Sequence, residues 1–169
     1  MRAHTYKAVG INLKSFNLGN SDKIITVFTR EYGKIKVVAK GSRKPSSKFG
    51  GRLELFGYNN YFISRGKSLD ILSQAETIES FLAIRENYER IQFGLYILWA
   101  INKVTVDDQE NPALFDLLLS CLKALSHGQR SINSIKRFFQ EELLRCEGIF
   151  ADGDYSEKEF DAKFFDYVG

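Results

Sequence analysis

Cysteine is nearly absent. The 169 residues hold two, Cys121 and Cys146, with no C-x-x-C pair, so neither a zinc ribbon nor a disulfide scaffold is indicated. Both lie in apolar helical patterns and read as buried reduced thiols, which fits a reducing cytoplasm. Proline is as sparse, at two residues, and there are no internal repeats or low-complexity tracts. No apolar run approaches the ~20 residues needed to cross a bilayer, and the N-terminus lacks a signal-peptide core. No membrane partner is therefore expected. His4 and His127 are isolated, with no nucleophile or second ligand beside them, so no metal, cofactor or catalytic dyad is indicated.

One further absence is local. Residues 33–52, GKIKVVAKGSRKPSSKFGGR, contain no Asp or Glu. They carry seven positive charges: Lys34, Lys36, Lys40, Arg43, Lys44, Lys48 and Arg52. The whole chain has a formal net charge of only +3, so this is a concentration and not a general bias. Residues 1–80 hold 14 Lys/Arg against 6 Asp/Glu, and residues 81–169 hold 10 against 15. A basic half (+8) joined to an acidic half (−5) suggests two modules with different partners. The basic one is suited to a polyanion, above all a nucleic acid backbone.

The first half patterns as strands. Residues 7–13 alternate, residues 23–29 (KIITVFT) are rich in β-branched side chains, and residues 34–40 follow a Tyr32-Gly33 turn. Residues 41–51 form a polar loop. Residues 53–64 read as one long bent strand with Gly57 at a bulge, and residues 69–75 close the set. Five strands without a crossover helix predict an α+β chain: an antiparallel five-stranded OB-fold barrel over residues 1–80, followed by an all-α domain over residues 81–169. In that second half, residues 87–106 predict a helix buried on most sides. Asn111-Pro112 opens another with Leu114, Phe115, Leu118, Leu119, Leu122 and Leu125 inward, and Gly128 ends it. A third ends at Gly148, with Ile135, Phe138, Phe139, Leu143 and Cys146 inward. Ser156-x-x-Glu159 is a capping box for a last short helix carrying Phe160 and Phe164.

Strand alternation puts Lys34, Lys36, Val38 and Lys40 on one face and Ile35, Val37 and Ala39 on the other. Three lysines thus line a sheet surface, to which the loop adds Arg43, Lys44 and Lys48. Such side chains hold phosphates without reading sequence. Phe28, Tyr32, Phe49, Phe56, Tyr58, Tyr61 and Phe62 are the aromatic candidates for stacking on unpaired bases. The bland alternative is a solvated edge whose lysines discourage aggregation. The clustered loop charges weigh against it, because like charges held together repel.

These residues also carry a family resemblance. Residues 18–44, LGNSDKIITVFTREYGKIKVVAKGSRK, resemble the N-terminal signature of the RecO recombination mediators through Gly19, Ser21-Asp22, Phe28-Thr29, Gly33, Val38-Ala39-Lys40-Gly41 and Arg43. The likeness continues through Phe49-Gly50-Gly51, Leu53-Glu54-Leu55-Phe56 and Gln74-Ala75-Glu76. It returns in NPALFDLLLSCLKAL at 111–125 and FQEELLRCEG at 139–148. The resemblance implies an OB barrel followed by helices. It implies a non-enzymatic protein, without cofactor, that binds single- and double-stranded DNA and anneals complementary strands. It further implies engagement of the single-strand-binding protein SSB and of RecR, loading of RecA, and a cytoplasmic, nucleoid-associated location. Lys36, Lys40, Arg43 and Lys44 would be DNA contacts, whereas Asp22 and Gly41 would shape the fold. Many members carry a four-cysteine zinc site just after the position of Gly148. Here that stretch reads Ile149-Phe150-Ala151-Asp152-Gly153-Asp154. A short form without zinc is therefore expected, and the departure bears most on RecR.

Two other motifs lead nowhere. Gly66-Lys67-Ser68 lacks the glycine a P-loop needs at position 61 and sits between strands. Asp152-Gly153-Asp154 lacks the later residues of a calcium loop. In the acidic half, an apolar groove between helices would suit a partner's peptide. For the acidic SSB tail, the basic rim would be Lys103, Lys123, Arg130, Lys136 and Arg137. The competing functions are a protein adaptor built on that groove and an RNA-binding OB module.

Overall fold

In the computed structural model, residues 4–149 and 156–169 are described. The expected strands appear as β1 (Thr5–Leu18), β2 (Asp22–Thr29), β3 (Gly33–Ala39), β4 (Tyr58–Ser64) and β5 (Asp70–Glu79). They close into a barrel in the order β1-β2-β3-β5-β4. Four seams are antiparallel. The closing seam, β3 with β5, is short and parallel, pairing Val37 with Asp70 and Val38 with Ile71.

Alternation fills the barrel. Ile25, Val27, Ile35, Val37, Ala39, Tyr61, Ile63 and Leu72 point inward and are buried. Two sequence expectations change. β1 does not stop at Leu13: its register with β2 shifts between Asn12 and Lys14, and it then runs on to Leu18 against β2 alone. The extra bulge residue reverses the alternation, which hides the continuation from a simple period-2 pattern. Residues 53–64 are not one strand. Gly50–Leu53 is a turn of 3-10 helix, and β4 begins only at Tyr58. Phe56 adopts φ 71° in the intervening turn.

The helices are α1 (Leu82–Arg85), α2 (Tyr88–Val104), α3 (Pro112–His127), α4 (Ile132–Cys146) and α5 (Glu157–Val168). Ser131 caps α4, and Ser156 with Glu159 forms the expected capping box of α5. The expected inward leucines of α3 are buried except Leu119, which is half-buried. Some inward assignments fail. Cys146 and Phe138 on α4 are exposed, and α2 keeps Tyr88, Leu95 and Trp99 at the surface. Gln140 takes the inward place instead, donating to the Tyr96 hydroxyl (2.9 Å) and to Asp161 (3.2 Å). Cys121 is buried, which pushes its thiol up to about 12.

The chain divides into two compact units, one of Met1–Phe81 with Thr105–Pro112, the other of Leu82–Val104 with Ala113–Gly169. The link between α2 and α3 therefore belongs to the barrel. Lys34 pairs with Asp107 in a parallel bridge, and the Asp108 N–H donates to the Lys34 carbonyl at 2.9 Å. Gly33 makes room for it: its φ is 70°, and a Cβ there would stand 1.9 Å from the Gln109 carbonyl oxygen. No described helix is long and apolar enough to cross a membrane. The cysteine-free stretch after Ile149 and the Asp152-Gly153-Asp154 motif lie outside the described residues.

Candidate nucleic-acid interface

Strand phase divides the seven cations. Lys36, on the outer wall of β3, and Lys40, just beyond its end, are exposed. Lys34 is not: it is 8% exposed, and its ammonium donates to the Thr105 carbonyl at 2.9 Å and lies 3.5 Å from Asp107. Alternation predicts the face correctly, but the returning link covers that end of it. Lys34 is thereby withdrawn from the exposed basic row and becomes the anchor of the link. Lys36 is itself 3.1 Å from the other oxygen of Asp107. That hydrogen bond, with the charges of Lys36 and Lys34, holds the Asp107 carboxyl below its ordinary range.

Arg43, Lys44, Lys48 and Arg52 are all exposed, and the loop that carries them is fixed at both ends. At its start, Asp22 Oδ1 accepts the Gly41 N–H at 2.8 Å and the Ser21 hydroxyl at 3.1 Å. The Arg43 N–H reaches the Ser21 carbonyl, and its guanidinium the Gly19 carbonyl, both at 2.9 Å. The Gly41 bond first, then Ser21 and the nearby Lys40 and Lys44, lowers the Asp22 pKa. Gly41 makes the turn with φ 66°.

At the far end, Asn12 and Asn59 lie fully buried beneath the loop. Asn12 donates to the carbonyls of Arg52 (2.9 Å) and Glu54 (2.8 Å), and Asn59 donates to that of Arg52 (2.9 Å). Asn59 also donates to the Tyr61 hydroxyl (2.8 Å), which in turn donates to Asn12. Burial raises the Tyr61 pKa, so the phenol stays a donor. These paired amides make the loop's exit a fixed point.

The aromatic candidates fare less well. Phe28, Phe49, Phe56 and Tyr61 are core, and Tyr58 and Phe62 are half-buried. Tyr32 is exposed but packs edge-on against Tyr6 at 4.9 Å. Among the described residues of the barrel the most exposed aromatic is Phe16, on the part of β1 that lies beyond the bulge, with the Lys14 ammonium 4.6 Å from its ring centre. The Lys14-Phe16-Leu18 alternation is the signal that finds it, once the phase is reset after residue 13.

A cleft of about 910 Å³ opens beside Lys36. Glu31, Asp70, Asp107, Asp108 and Glu110 line it against Lys34, Lys36 and Arg65. The excess of carboxylates repels a polyanion, so a phosphate backbone is favoured over Lys40 and the loop rather than in the cleft.

The model of the recombination protein O N-terminal domain matches residues 1–81, and that of the C-terminal domain matches residues 85–156. The chain belongs to the RecO family. Relatives described as DNA repair protein RecO include those of Trichodesmium erythraeum, 41% identical over 150 residues, and a Cyanothece species, 46% identical over 146. A third, from Halalkalibacterium halodurans, is 35% identical over 144 residues. These alignments cover 88%, 86% and 85% of this chain but 51%, 50% and 56% of the relatives. The chain thus spans about half the length of the RecO proteins it matches.

Among the described residues no His, Cys, Asp and Glu cluster suits a metal ion. The proposed rim of the helical unit is mixed. Lys136 lies 3.8 Å from Asp161, and Arg137 lies 2.6 Å from Glu141. Arg130 stands over the Phe138 ring at 5.9 Å, and Lys103 and Lys123 are exposed.

Proposed function

We propose that this chain is a non-enzymatic DNA-binding recombination mediator, acting in repair like its RecO relatives. The observation that carries this reading is the loop of Arg43, Lys44, Lys48 and Arg52, with Lys40 at its entry, pinned at both ends. Pinning repelling cations together is costly unless a polyanion uses them. Phosphate contacts of this kind bind single and double strands without reading sequence. Annealing needs no catalytic group: neutralised strands that keep their bases free can pair. Assistance to RecA on SSB-coated DNA, and contact with RecR, belong to the same proposal.

Salt dependence tests it. If four to six phosphates are held, log K for a single strand falls against log salt with a slope of roughly −3 to −4. The Lys36/Lys40/Arg43 triple alanine variant should lose most of that slope. A flat slope for the parent chain refutes the reading, and competing RNA oligomers separate it from an RNA-binding role. Annealing of complementary strands, with and without SSB, tests the mediator step. The exposed Tyr88, Leu95 and Trp99 on α2 favour a protein contact as a second reading. Titration with an SSB-tail peptide that gives neither heat nor spectral shift would remove it.

A further inference from the structure

Strand register sorts the outer barrel wall into rows, because directly paired residues share a face. Lys14, Thr26 and Lys36 make one row across β1, β2 and β3. Phe16, Ile24, Val38 and Ile71 make the next, reaching β5. Leu18 and Asp22 begin a third, where Lys40 shares the face of Val38. Neighbouring Ile25, Val37 and Leu72 fill the interior and are buried, which fixes the middle row on the outside. Phe16 is 49% and Leu18 39% exposed, and Ile24, Val38 and Ile71 are half-buried.

The wall therefore carries an apolar strip one side chain wide, ending in an open aromatic ring. Cations border it on both sides. Lys14 and Lys36 stand on one, and on the other Lys40 is joined by Arg43, which is tied to the β1–β2 turn through Gly19. A mostly apolar protein partner would strip water from those cations without replacing it. An unpaired nucleic acid strand matches both features, with π-faces for the strip and phosphates for its borders. A duplex offers the phosphates but hides its base faces. Walls of strands 2 and 3 serve oligonucleotides in OB folds generally.

We propose that the Phe16–Ile24–Val38–Ile71 strip is a stacking platform for unpaired bases of single-stranded DNA, and that Phe16 makes the barrel prefer unpaired strands to duplex. The proposal rests on the DNA-binding reading above. Fluorescence anisotropy with the full chain tests it, using labelled oligothymidylate, the same oligomer with abasic positions, and a duplex of equal length. Phe16→Ala should weaken oligothymidylate binding by roughly five- to 150-fold, the range of one lost base–aromatic stack. Duplex affinity should change less than about twofold and the salt slope should stay, since no phosphate contact is removed. Phe16→Tyr should bind as the parent does, which separates a lost stack from a lost fold. Abasic positions should weaken the parent but weaken Phe16→Ala little further. Equal losses on duplex and single strand, or undiminished binding by Phe16→Ala, overturn the platform while leaving salt-dependent binding intact. If the parent chain binds neither DNA, both readings fall. Concentration-dependent self-association that Phe16→Ala abolishes would assign the strip to a second copy and overturn the platform too.

Discussion

Asn12→Ala tests whether the buried amides hold the basic loop. Asn12 is fully buried and makes three side-chain hydrogen bonds. Its removal does not orphan every partner. The Arg52 carbonyl keeps Asn59, and the Glu54 carbonyl keeps the Gly57 N–H at 3.2 Å. Each of those lost bonds costs about 0.5–1.5 kcal/mol, whereas the Tyr61 hydroxyl proton, left without an acceptor in the barrel, costs about 1–3 kcal/mol. The sum centres near 3–4 kcal/mol, a large share of a typical folding free energy of about 5–15 kcal/mol. At about 2–4 °C per kcal/mol for a chain of this size, Tm should fall by roughly 6–16 °C.

Urea and thermal unfolding monitored by circular dichroism measure this directly. The decisive arm is the Asn12→Ala/Tyr61→Phe double variant. Tyr61→Phe alone also takes the acceptor from Asn59, so with that single variant beside it the cycle reads the bond the two residues share: the double variant should lose less than the sum of the two single losses, by about 0.5–3 kcal/mol. An Asn12→Ala variant that loses less than about 1 kcal/mol, or two single losses that simply add in the double variant, refutes the network as the loop's anchor.

Three further outcomes follow from the same contacts. Asp107→Asn releases Lys36 from its exposed ion pair, worth about 0.2–1 kcal/mol, so single-stranded DNA affinity should rise, by up to roughly fivefold; an unchanged or lower affinity in anisotropy titrations contradicts this. The Asp22 carboxyl titrates below its ordinary value because Gly41 donates to it. Its contribution is complete above the unfolded carboxyl pKa of about 3.9 and disappears as pH falls through the lower folded value. The Tm gap between parent and Asp22→Asn should therefore be present at neutral pH and close in acid; a gap indifferent to pH counts against the Gly41 contact. Gly33→Ala forces a Cβ into the Gln109 carbonyl at positive φ, a conformation costing about 1–2 kcal/mol before the clash is added. Hydrogen exchange should show the Asp108 N–H losing protection, and retained protection would show that the link does not depend on that glycine.

Much of the fold was legible because periodicity reports burial. β2 and β3 alternate against a packed interior, so Ile35, Val37 and Ala39 read as the face opposite the lysines and prove to be core. α3 and the capping box of α5 read out for the same local reasons. Failures gather where one residue changes phase or where distant chain returns. The bulge after Asn12 conceals the rest of β1, and with it Phe16. Phe138 and Gln140 exchange the places their polarity predicts, because Tyr96 and Asp161 supply the buried amide with partners from other helices. No helical period encodes such partners.

The basic stretch shows the limit most sharply. Composition alone weights its seven cations equally, and alternation then places Lys34, Lys36 and Lys40 on one face. Whether a lysine on that face meets solvent is decided by residues some seventy positions away, where Thr105 and Asp107 fold back onto β3. The link converts Lys34 into a structural cation and partly occupies Lys36. Exposed positive charge is thereby moved toward Lys40, Arg43, Lys44, Lys48 and Arg52, away from the carboxylates of the cleft. The same acidic link that braces the barrel also confines where a polyanion is favoured. In the proposed interface, charge at Asp107 is thus a determinant as much as any lysine.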